Sequence, residues 1–147
     1  MKLAVACDHG ALDMKKEIIE HLTAEGHECI DVGTYTSASC DYPDFAKKAC
    51  HAVLDGEATY AILLCGTGIG MSLAANKIKG IRCALCSDCY SAEMTRRHNN
   101  ANAMAMGARV IGPELAKRLV DTFIAAPFEG GRHQTRVDKV MALEAED

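Results

Sequence analysis

A cysteine followed by glycines at alternate positions is the segment of this sequence best suited to chemistry. An apolar run over residues 60–64 ends at Cys65 and continues as Gly66-Thr67-Gly68-Ile69-Gly70. The run predicts a buried parallel strand, and ligands of open α/β sheets bind just past the carboxyl ends of the strands. Glycines allow a sharp turn and let a ligand approach the backbone amides closely. A thiol there, beside a helix N-terminus that favours its charged form, is a candidate catalytic group in an anion-binding site.

Polar residues at the ends of neighbouring elements extend this candidate site. Residues 8–10, Asp-His-Gly, follow the first predicted strand, and residues 98–100, His-Asn-Asn, end the helix after the fourth. We expect them to converge with Cys65 on one edge of the sheet. Alone, each has a structural explanation: His9 as a helix cap, His98 as the balance to a helix C-terminus, Cys65 as a small buried hydrophobe. Together, a carboxylate, an imidazole, a thiol and a hydroxyl at the expected places favour a catalytic cleft.

The glycine loop does not match three better-known signatures of phosphate and nucleotide sites. The P-loop requires Gly-Lys followed by Ser or Thr, and here Gly70 precedes Met71. The dinucleotide fingerprint requires its third glycine where Met71 stands, although Asp88 lies at the spacing of a ribose-binding acid. A small cysteine phosphatase would place a phosphate-binding arginine six residues after the nucleophile, again at Met71. The sequence therefore disfavours all three.

Eight cysteines raise the question of disulfides or a metal centre. Met1 leads directly into a predicted strand rather than into a secretion signal, so we expect no disulfides. Cys83, Cys86 and Cys89 are spaced like metal ligands. The surrounding sequence, however, predicts a strand, in which residues three apart point to opposite faces. We therefore expect buried thiols here and no metal site.

Composition narrows the classes of function. The 147 residues suit a single domain, 1–147, with 49% hydrophobic and 24% charged residues. A net charge of −4 disfavours nucleic-acid binding. Arginines in the later part of the chain still allow a local anion site; among them are Arg96, Arg97, Arg109, Arg132 and Arg136. The sequence contains no apolar stretch long enough for a membrane span, so we expect a cytoplasmic protein.

Strands and helices alternate along the chain, which predicts a three-layer α/β/α sandwich around a five-stranded parallel sheet of Rossmann or flavodoxin type. The predicted strands cover residues 3–6, 28–32, 60–65, 82–86 and 103–106, and the helices between them cover about 12–22, 46–54, 70–77, 91–98 and 113–123. A last helix, about 133–146, has no strand to follow. It covers its own sheet or packs on a neighbouring subunit, and the residues leave both possibilities open.

Six separated segments of the sequence form a recognisable set. In chain order they are Ala6-Cys7-Asp8-His9, Asp41-Tyr42-Pro43, Cys65-Gly66-Thr67-Gly68-Ile69-Gly70, Arg97-His98-Asn99, Gly107-Ala108-Arg109 and Glu129-Gly130-Gly131-Arg132-His133. Together these segments resemble those of the type B ribose-5-phosphate isomerases. The resemblance spans essentially the whole chain, and the wider family includes galactose-6-phosphate isomerase subunits and allose-6-phosphate isomerases. Some members lack the cysteine and use a glutamate a few residues on as base. Cys65 is present here and Met71 occupies that region, so the chain resembles the cysteine subtype.

The resemblance implies an aldose–ketose isomerisation through a cis-enediolate, without metal or cofactor. Cys65 would be the base that moves a proton between C1 and C2, and Thr67 would pass protons between the two oxygens. His98 and Asp8 would form the acid–base pair that opens the sugar ring. The amides of the glycine loop would hold the enediolate with the help of Asn99, while a histidine and three arginines would hold the phosphate. The implied substrate-binding residues are His9, Tyr42, Gly66, Gly68, Ile69, Gly70, Asn99, Arg109, Arg132 and Arg136.

The resemblance also implies a homodimer, or a dimer of dimers, whose active sites lie at the subunit interface and use the neighbour's C-terminal region. Neither nucleic acid nor a membrane is an expected partner. Ribose 5-phosphate and allose 6-phosphate both remain open as substrates, because the depth of the pocket is not readable from the residues. A second hypothesis is a non-catalytic sugar-phosphate or nucleotide-binding module of flavodoxin type. Such a module would keep the glycine loop but would have no use for a thiol, an imidazole and a carboxylate together.

Overall fold

Five parallel strands form the centre of the molecule in the computed structural model, which describes residues 1–146. The strands are β1 (Lys2–Cys7), β2 (Glu28–Asp31), β3 (Tyr60–Cys65), β4 (Cys83–Leu85) and β5 (Ala103–Gly107). The helices are α1 (Leu12–Ala24), α2 (Tyr42–Leu54), α3 (Ile69–Asn76), α4 (Cys89–Asn99), α5 (Pro113–Ala125) and α6 (Arg132–Ala142). Short 3-10 turns follow β1 at His9–Ala11 and α6 at Leu143–Ala145. The predicted fold class is confirmed.

The order of the strands differs from that of a flavodoxin-type sheet. It is β2-β1-β3-β5-β4, so β5 lies between β3 and β4, whereas the flavodoxin order is 2-1-3-4-5. Burial is consistent with β5 as the inner strand and β4 as the edge strand. Every residue of β5 is buried, whereas β4 has only three residues and ends at the exposed Leu85. A short, half-exposed strand suits the edge of a sheet, where it offers little unpaired backbone to other chains.

The two faces of the sheet carry side chains of different size. On one face, large aliphatic residues of β1, β3 and β5 pack against α1, α4 and α5. On the other face, mainly alanines of the same strands pack against α2 and α3. Because an alanine projects little from the sheet, α2 and α3 can lie close to the strands. Cys65 belongs to this alanine face, which directs its side chain towards α3.

Several predicted boundaries differ from the observed ones for local reasons. α4 begins at Cys89 rather than at residue 91, because the side chain of Asp88 accepts a hydrogen bond from the Ser91 amide at 2.7 Å and caps the helix. Asp88, whose spacing suggested a ribose-binding acid, is therefore used as a helix cap. The predicted helix 133–146 is α-helical only as far as Ala142 and continues as the 3-10 turn.

The cysteines are free within residues 1–146 and lie on both faces of the sheet. Cys86 packs on the side of α1, α4 and α5, and Cys83 on the side of α2 and α3, as the strand pattern predicts. Burial raises the pKa of Cys7 and Cys86 to about 11 and that of Cys50 to about 12. These thiols therefore stay protonated near neutral pH and serve as small core side chains.

α6 contacts its own chain along one side only. It packs on α4 and buries two of its residues, His133 and Val137. Val140 and Leu143 lie beyond them and are 53% and 58% exposed. The end of the chain thus leaves an apolar strip uncovered. Within residues 1–146, no helix has both the length and the apolar character to cross a bilayer.

Candidate active site

The thiol of Cys65 faces the first turn of α3. Cys65 ends β3, is 4% exposed, and its Sγ accepts a hydrogen bond from the Gly68 amide at 3.0 Å. Gly68 has φ +78°, and a Cβ there would come within 2.7 Å of the carbonyl carbon of Met106, so only glycine fits this turn. The next amide, of Ile69, donates to Oγ1 of the exposed Thr67 at 3.2 Å. The turn thereby holds both the sulfur and the hydroxyl.

The loop after β1 lies beside the glycine loop, since a Cβ on Gly10 would come within 3.5 Å of the Gly66 nitrogen. Asp8 is 8% exposed, and its Oδ1 accepts a hydrogen bond from the Gly10 amide at 2.9 Å. His9 is exposed, and its Nδ1 accepts a hydrogen bond from the Cys40 amide at 3.2 Å. An imidazole that accepts at Nδ1 carries its proton on Nε2. His9 therefore offers an N–H donor at its other nitrogen.

Tyr42 and Arg109 border the glycine loop on two sides. The ring of Tyr42, the first residue of α2, covers Gly70 so closely that a Cβ there would come within 2.6 Å of it. Arg109 follows β5; its amide donates to the Gly66 carbonyl at 2.9 Å and its guanidinium lies over Gly66. We call this assembly the strand-end cleft, and it consists of Asp8, His9, Tyr42, Cys65, residues 66–70 and Arg109.

A buried lysine anchors the loop between β2 and α2. Lys15 is 1% exposed, and its Nζ donates to Asp31 Oδ1 at 2.7 Å and to the carbonyl of Thr34. Sequence reasoning missed Lys15, although the apolar stripe of α1 runs through its position and a lysine is out of place there.

His98 and Asn99 do not join the strand-end cleft of their own chain. α4 starts beyond β4 at the carboxyl edge of the sheet and runs back alongside the strands to the amino edge. There the carbonyls of Asn99 and Asn100 accept hydrogen bonds from the guanidinium of Arg82, which stands directly before β4. The length of β3 separates the two edges by about 17 Å. The expectation that His98 converges with Cys65 within one chain is wrong, because His98 ends a helix and not a strand.

The end of α4 instead meets the start of α6. The imidazole of His98 stacks on that of His133, with ring centroids 4.2 Å apart and planes 5° from parallel. Its Nε2 lies 3.8 Å from Oε2 of Glu129. We call this group the helix-end cluster, and it consists of His98, Asn99, Glu129, Arg132, His133 and Arg136. Glu129 and His133 received no role from the sequence, because nothing in the spacing places them beside His98.

The ligand atoms of His98, Glu129 and His133 lie within 4.8 Å of one another, which makes them the group to consider for a metal ion. A bound ion must lie in the plane of each imidazole that donates a lone pair to it. The two rings are stacked in nearly parallel planes, so one ion cannot satisfy both. The three side chains are arranged as a stack with a carboxylate partner and not as a preformed metal centre.

The electrostatics of the helix-end cluster suit an anion. Arg132 and Arg136 are exposed on the first turns of α6, one turn apart on the same face. Guanidinium groups placed in this way bind phosphate through paired hydrogen bonds. Burial, followed by the effects of His98 and Arg132, lowers the pKa of His133. The buried ring of the stack is therefore harder to protonate than an ordinary histidine.

Comparison with known proteins points to one family. Residues 3–140 match the family model described as Ribose/Galactose Isomerase. The chain is 50% identical to ribose-5-phosphate isomerase B of Escherichia coli, over 97% of this chain and 96% of that protein. It is 43% identical to D-erythrulose-4-phosphate isomerase of Pectobacterium atrosepticum, over 100% of this chain and 97% of the other. The structure of Clostridium thermocellum ribose-5-phosphate isomerase B superposes with a TM-score of 0.98 at 49% identity, covering 99% of each chain.

Acidification should destabilise the folded protein partly through His133. Because its pKa is lowered in the folded state, the unfolded chain binds more protons as the pH falls. The resulting loss of folding stability is absent well above the ordinary histidine pKa of about 6.5 and grows as the pH falls below it. We expect the free energy of unfolding, measured by urea denaturation, to fall more steeply below about pH 7 in the wild type than in His133→Asn. His51→Asn, at an exposed position on α2, should keep the wild-type slope; the same slope in all three proteins would contradict this role of His133.

Proposed function

The chain belongs to the ribose/galactose isomerase family, and within it we propose that this protein interconverts ribose 5-phosphate and ribulose 5-phosphate. The observation that carries the proposal is the position of the Cys65 thiol, in a cleft with backbone amides, the buried carboxylate of Asp8 and the guanidinium of Arg109. A proton next to a sugar carbonyl is only weakly acidic, so its transfer needs a positioned base and a stabilised oxyanion. The strand-end cleft supplies groups for both.

Cys65 is the base of the proposed isomerisation. As a thiolate it takes the proton from C2 of the open-chain aldose, and the carbonyl electron pair moves onto O1 to give a cis-enediolate. Thr67, whose hydroxyl is exposed beside the sulfur, carries the proton of O2 to O1. The electron pair on O2 then forms the new carbonyl, and the thiol returns its proton to C1. Tyr42 borders the sugar during these steps.

The backbone amides of the glycine loop stabilise the enediolate in this proposal. Two of its amides, those of Gly68 and Ile69, already donate to the thiol and to the threonine hydroxyl, at 3.0 and 3.2 Å. These contacts hold the base and the proton carrier in place. We therefore assign the developing negative charge to the amides of Gly66, Thr67 and Gly70. Donors aimed at such charge contribute about a hundredfold or more in rate.

Ring opening is assigned to His98 together with Asp8. The step removes the proton from O1 of the cyclic sugar and delivers a proton to the ring oxygen. It therefore needs a base beside O1 and an acid beside the ring oxygen. Because His98 and Asn99 lie towards the opposite edge of the sheet from the Cys65 of their own chain, we propose that a second copy of the chain supplies them. Asn99 of that copy then assists the amides that hold the enediolate.

The phosphate is likewise assigned to residues from both copies. His9, through Nε2–H, and Arg109 approach it from the strand-end cleft. Arg132 and Arg136 approach it from the helix-end cluster of the second copy, where they share one face of α6. This division places three guanidinium groups and one imidazole N–H around a doubly charged phosphate.

A homodimer, alone or within a dimer of dimers, is the assembly that unites the two halves. An open groove of about 830 Å³ beside α6 is lined by Asn99, Arg136 and Val140 among other residues. Val140 and Leu143 are exposed apolar residues that a second chain would cover. Free cysteines on both faces of the sheet fit a reducing compartment, so we place the enzyme in the cytoplasm.

The proposed reaction is tested by assaying the purified protein with ribose 5-phosphate in the presence and absence of a chelator. We expect turnover in both, because each proton transfer is assigned to a side chain or an amide. Parallel assays with allose 6-phosphate and galactose 6-phosphate show whether a longer sugar is also accepted. Loss of activity in the chelator, restored by a divalent ion, would contradict the mechanism. Binding of sugar phosphates without turnover would instead favour a non-catalytic module.

Cys65→Ala should reduce kcat by at least about a hundredfold, since it removes the general base. Substrate binding should persist, because the thiol holds no part of the phosphate; isothermal titration with ribose 5-phosphate measures this. Cys86→Ala and Cys83→Ala are matched controls that remove thiols elsewhere in the sheet, and we expect them to lower stability by about 1 kcal/mol and to leave turnover unchanged. Near-normal turnover by Cys65→Ala would assign the proton transfer to another group.

Mixing two inactive variants should restore activity if each site is shared between chains. Cys65→Ala damages the strand-end cleft and Arg136→Ala damages the helix-end cluster. After subunit exchange, a heterodimer with shared sites contains one site with both lesions and one intact site. One of its two active sites should therefore be functional. A mixture that stays inactive, although exchange is verified by native mass spectrometry, would mean that each chain completes its own site.

A further inference from the structure

Two arginines hold the turn that follows α4. A helix leaves its last carbonyls without partners, and the negative end of the helix dipole lies there. Arg82 donates from Nε to the carbonyls of Asn99 and Asn100, at 3.1 and 3.2 Å, and from Nη2 to that of Asn100 at 2.7 Å. Arg96 donates from Nη1 to Asn100 Oδ1 at 2.9 Å and to the Ala101 carbonyl at 2.6 Å. The chain therefore leaves the helix in a single defined direction.

Asn100 shows how fully this turn is specified. Its φ is +48°, in the left-handed region that costs energy for a residue with a side chain. Its amide donates to the Arg96 carbonyl at 3.2 Å, and its own carbonyl and Oδ1 accept from the two guanidinium groups. The backbone group, the side chain and the conformation of this residue are thus all determined by its neighbours.

Arg82 also connects this turn to α6. Its Nη1 lies 3.3 Å from the sulfur of Met141, and its amide donates to Oδ1 of Asn102 at 2.8 Å. The start of β4, the end of α4 and the last turn of α6 therefore meet at one side chain. His98 stacks on His133 across the same α4–α6 contact. Arg82 holds the carbonyl of Asn99, the residue directly after His98, so a change at Arg82 would shift the end of α4 that carries the stacked ring.

Placing two guanidinium groups around one turn has an electrostatic cost. Burial, and then the charge of Arg96, lowers the pKa of Arg82. Glu144 offsets part of this repulsion, and its Oε1 also accepts a hydrogen bond from the Gly80 amide at 2.8 Å. A single arginine would cap the helix with less repulsion. Arg82 adds what a single cap lacks, because it links the last residues of α4 to those of α6.

We propose that Arg82 is a positioning residue for ring opening, which holds the end of α4 against α6 so that His98 meets the sugar in a fixed geometry. This inference rests on the proposed function of His98. The guanidinium of Arg82 is engaged with carbonyls and with a methionine sulfur, so it acts through these residues and not on the substrate. Displacing a catalytic group by about 1 Å can cost about a hundredfold in rate.

Arg82→Lys tests the proposal, because lysine keeps the charge but lacks the planar fork that reaches two carbonyls and α6 together. Arg118→Lys, at an exposed position on α5, is the matched control. We would measure kcat and KM on ribose 5-phosphate and on erythrose 4-phosphate, which cannot close a furanose ring because its C4 oxygen carries the phosphate. We expect Arg82→Lys to lose about ten- to a hundredfold in kcat on the cyclic sugar and clearly less on the acyclic one. Arg118→Lys should match the wild type on both.

A second readout is independent of turnover. The imidazole NMR signals of His98 should shift in Arg82→Lys, while those of His21, which is paired with Asp121 on another part of the surface, should stay in place. Equal kinetic losses on the two sugars, or an unchanged His98 signal, would overturn the proposal. If the wild type does not convert ribose 5-phosphate, the proposed function fails by itself. In that case, or if erythrose 4-phosphate is not turned over, the His98 signal alone decides whether Arg82 positions this end of α4.

Discussion

Close packing around Gly68 is the constraint on which the strand-end cleft depends. A side chain at this residue would collide with Leu85 and with the backbone of Met106, and one at Gly107 would come within 2.5 Å of the Thr67 carbonyl oxygen. The glycine loop is therefore pressed against the end of β5. That contact is possible only because β5, rather than β4, lies beside β3. The position of the glycine loop, and with it that of the Cys65 thiol, therefore depends on the order of the strands.

A parallel sheet flanked by returning helices divides functional groups between two edges. Strand ends gather on one edge, which is where such folds bind their ligands, and helix ends gather on the other. The thiol, the carboxylate of Asp8 and Arg109 lie on the first edge, whereas His98 and the arginines of α6 lie on the second. In the proposed mechanism neither group is by itself a complete site for a cyclic sugar phosphate. The exposed apolar residues of α6 lie beside the second group, where the proposed second chain would cover them.

The sequence was sufficient for the fold class and for Asp8, His9 and the Cys65 loop, because these follow from the alternation of apolar runs and from what stands directly after each strand. Tyr42 and Arg109 entered the strand-end cleft only through the family resemblance. The sequence was insufficient for the position of His98, because His98 ends a helix and a helix returns to the opposite edge of the sheet. The stack of His98 on His133 and the anchoring of a loop by Lys15 were also missed. Both depend on contacts between segments far apart along the chain, and periodicity carries no information about such contacts. The edge position of β4 follows from its incomplete burial, which only the packed sheet reveals.

The length of α4 matches the depth of the sheet, and this match limits how the protein can vary during evolution. Its 11 residues span about 16 Å, close to the roughly 17 Å that separate the two edges along β3. One inserted residue would lengthen the helix by about 1.5 Å and rotate everything after it by about 100°. His98 would then leave the ring on which it stacks, and Asn100 would leave the guanidinium of Arg82. Descendants of this chain can therefore exchange residues on the exposed face of α4 but can hardly gain or lose one, whereas surface loops elsewhere are free to change in length.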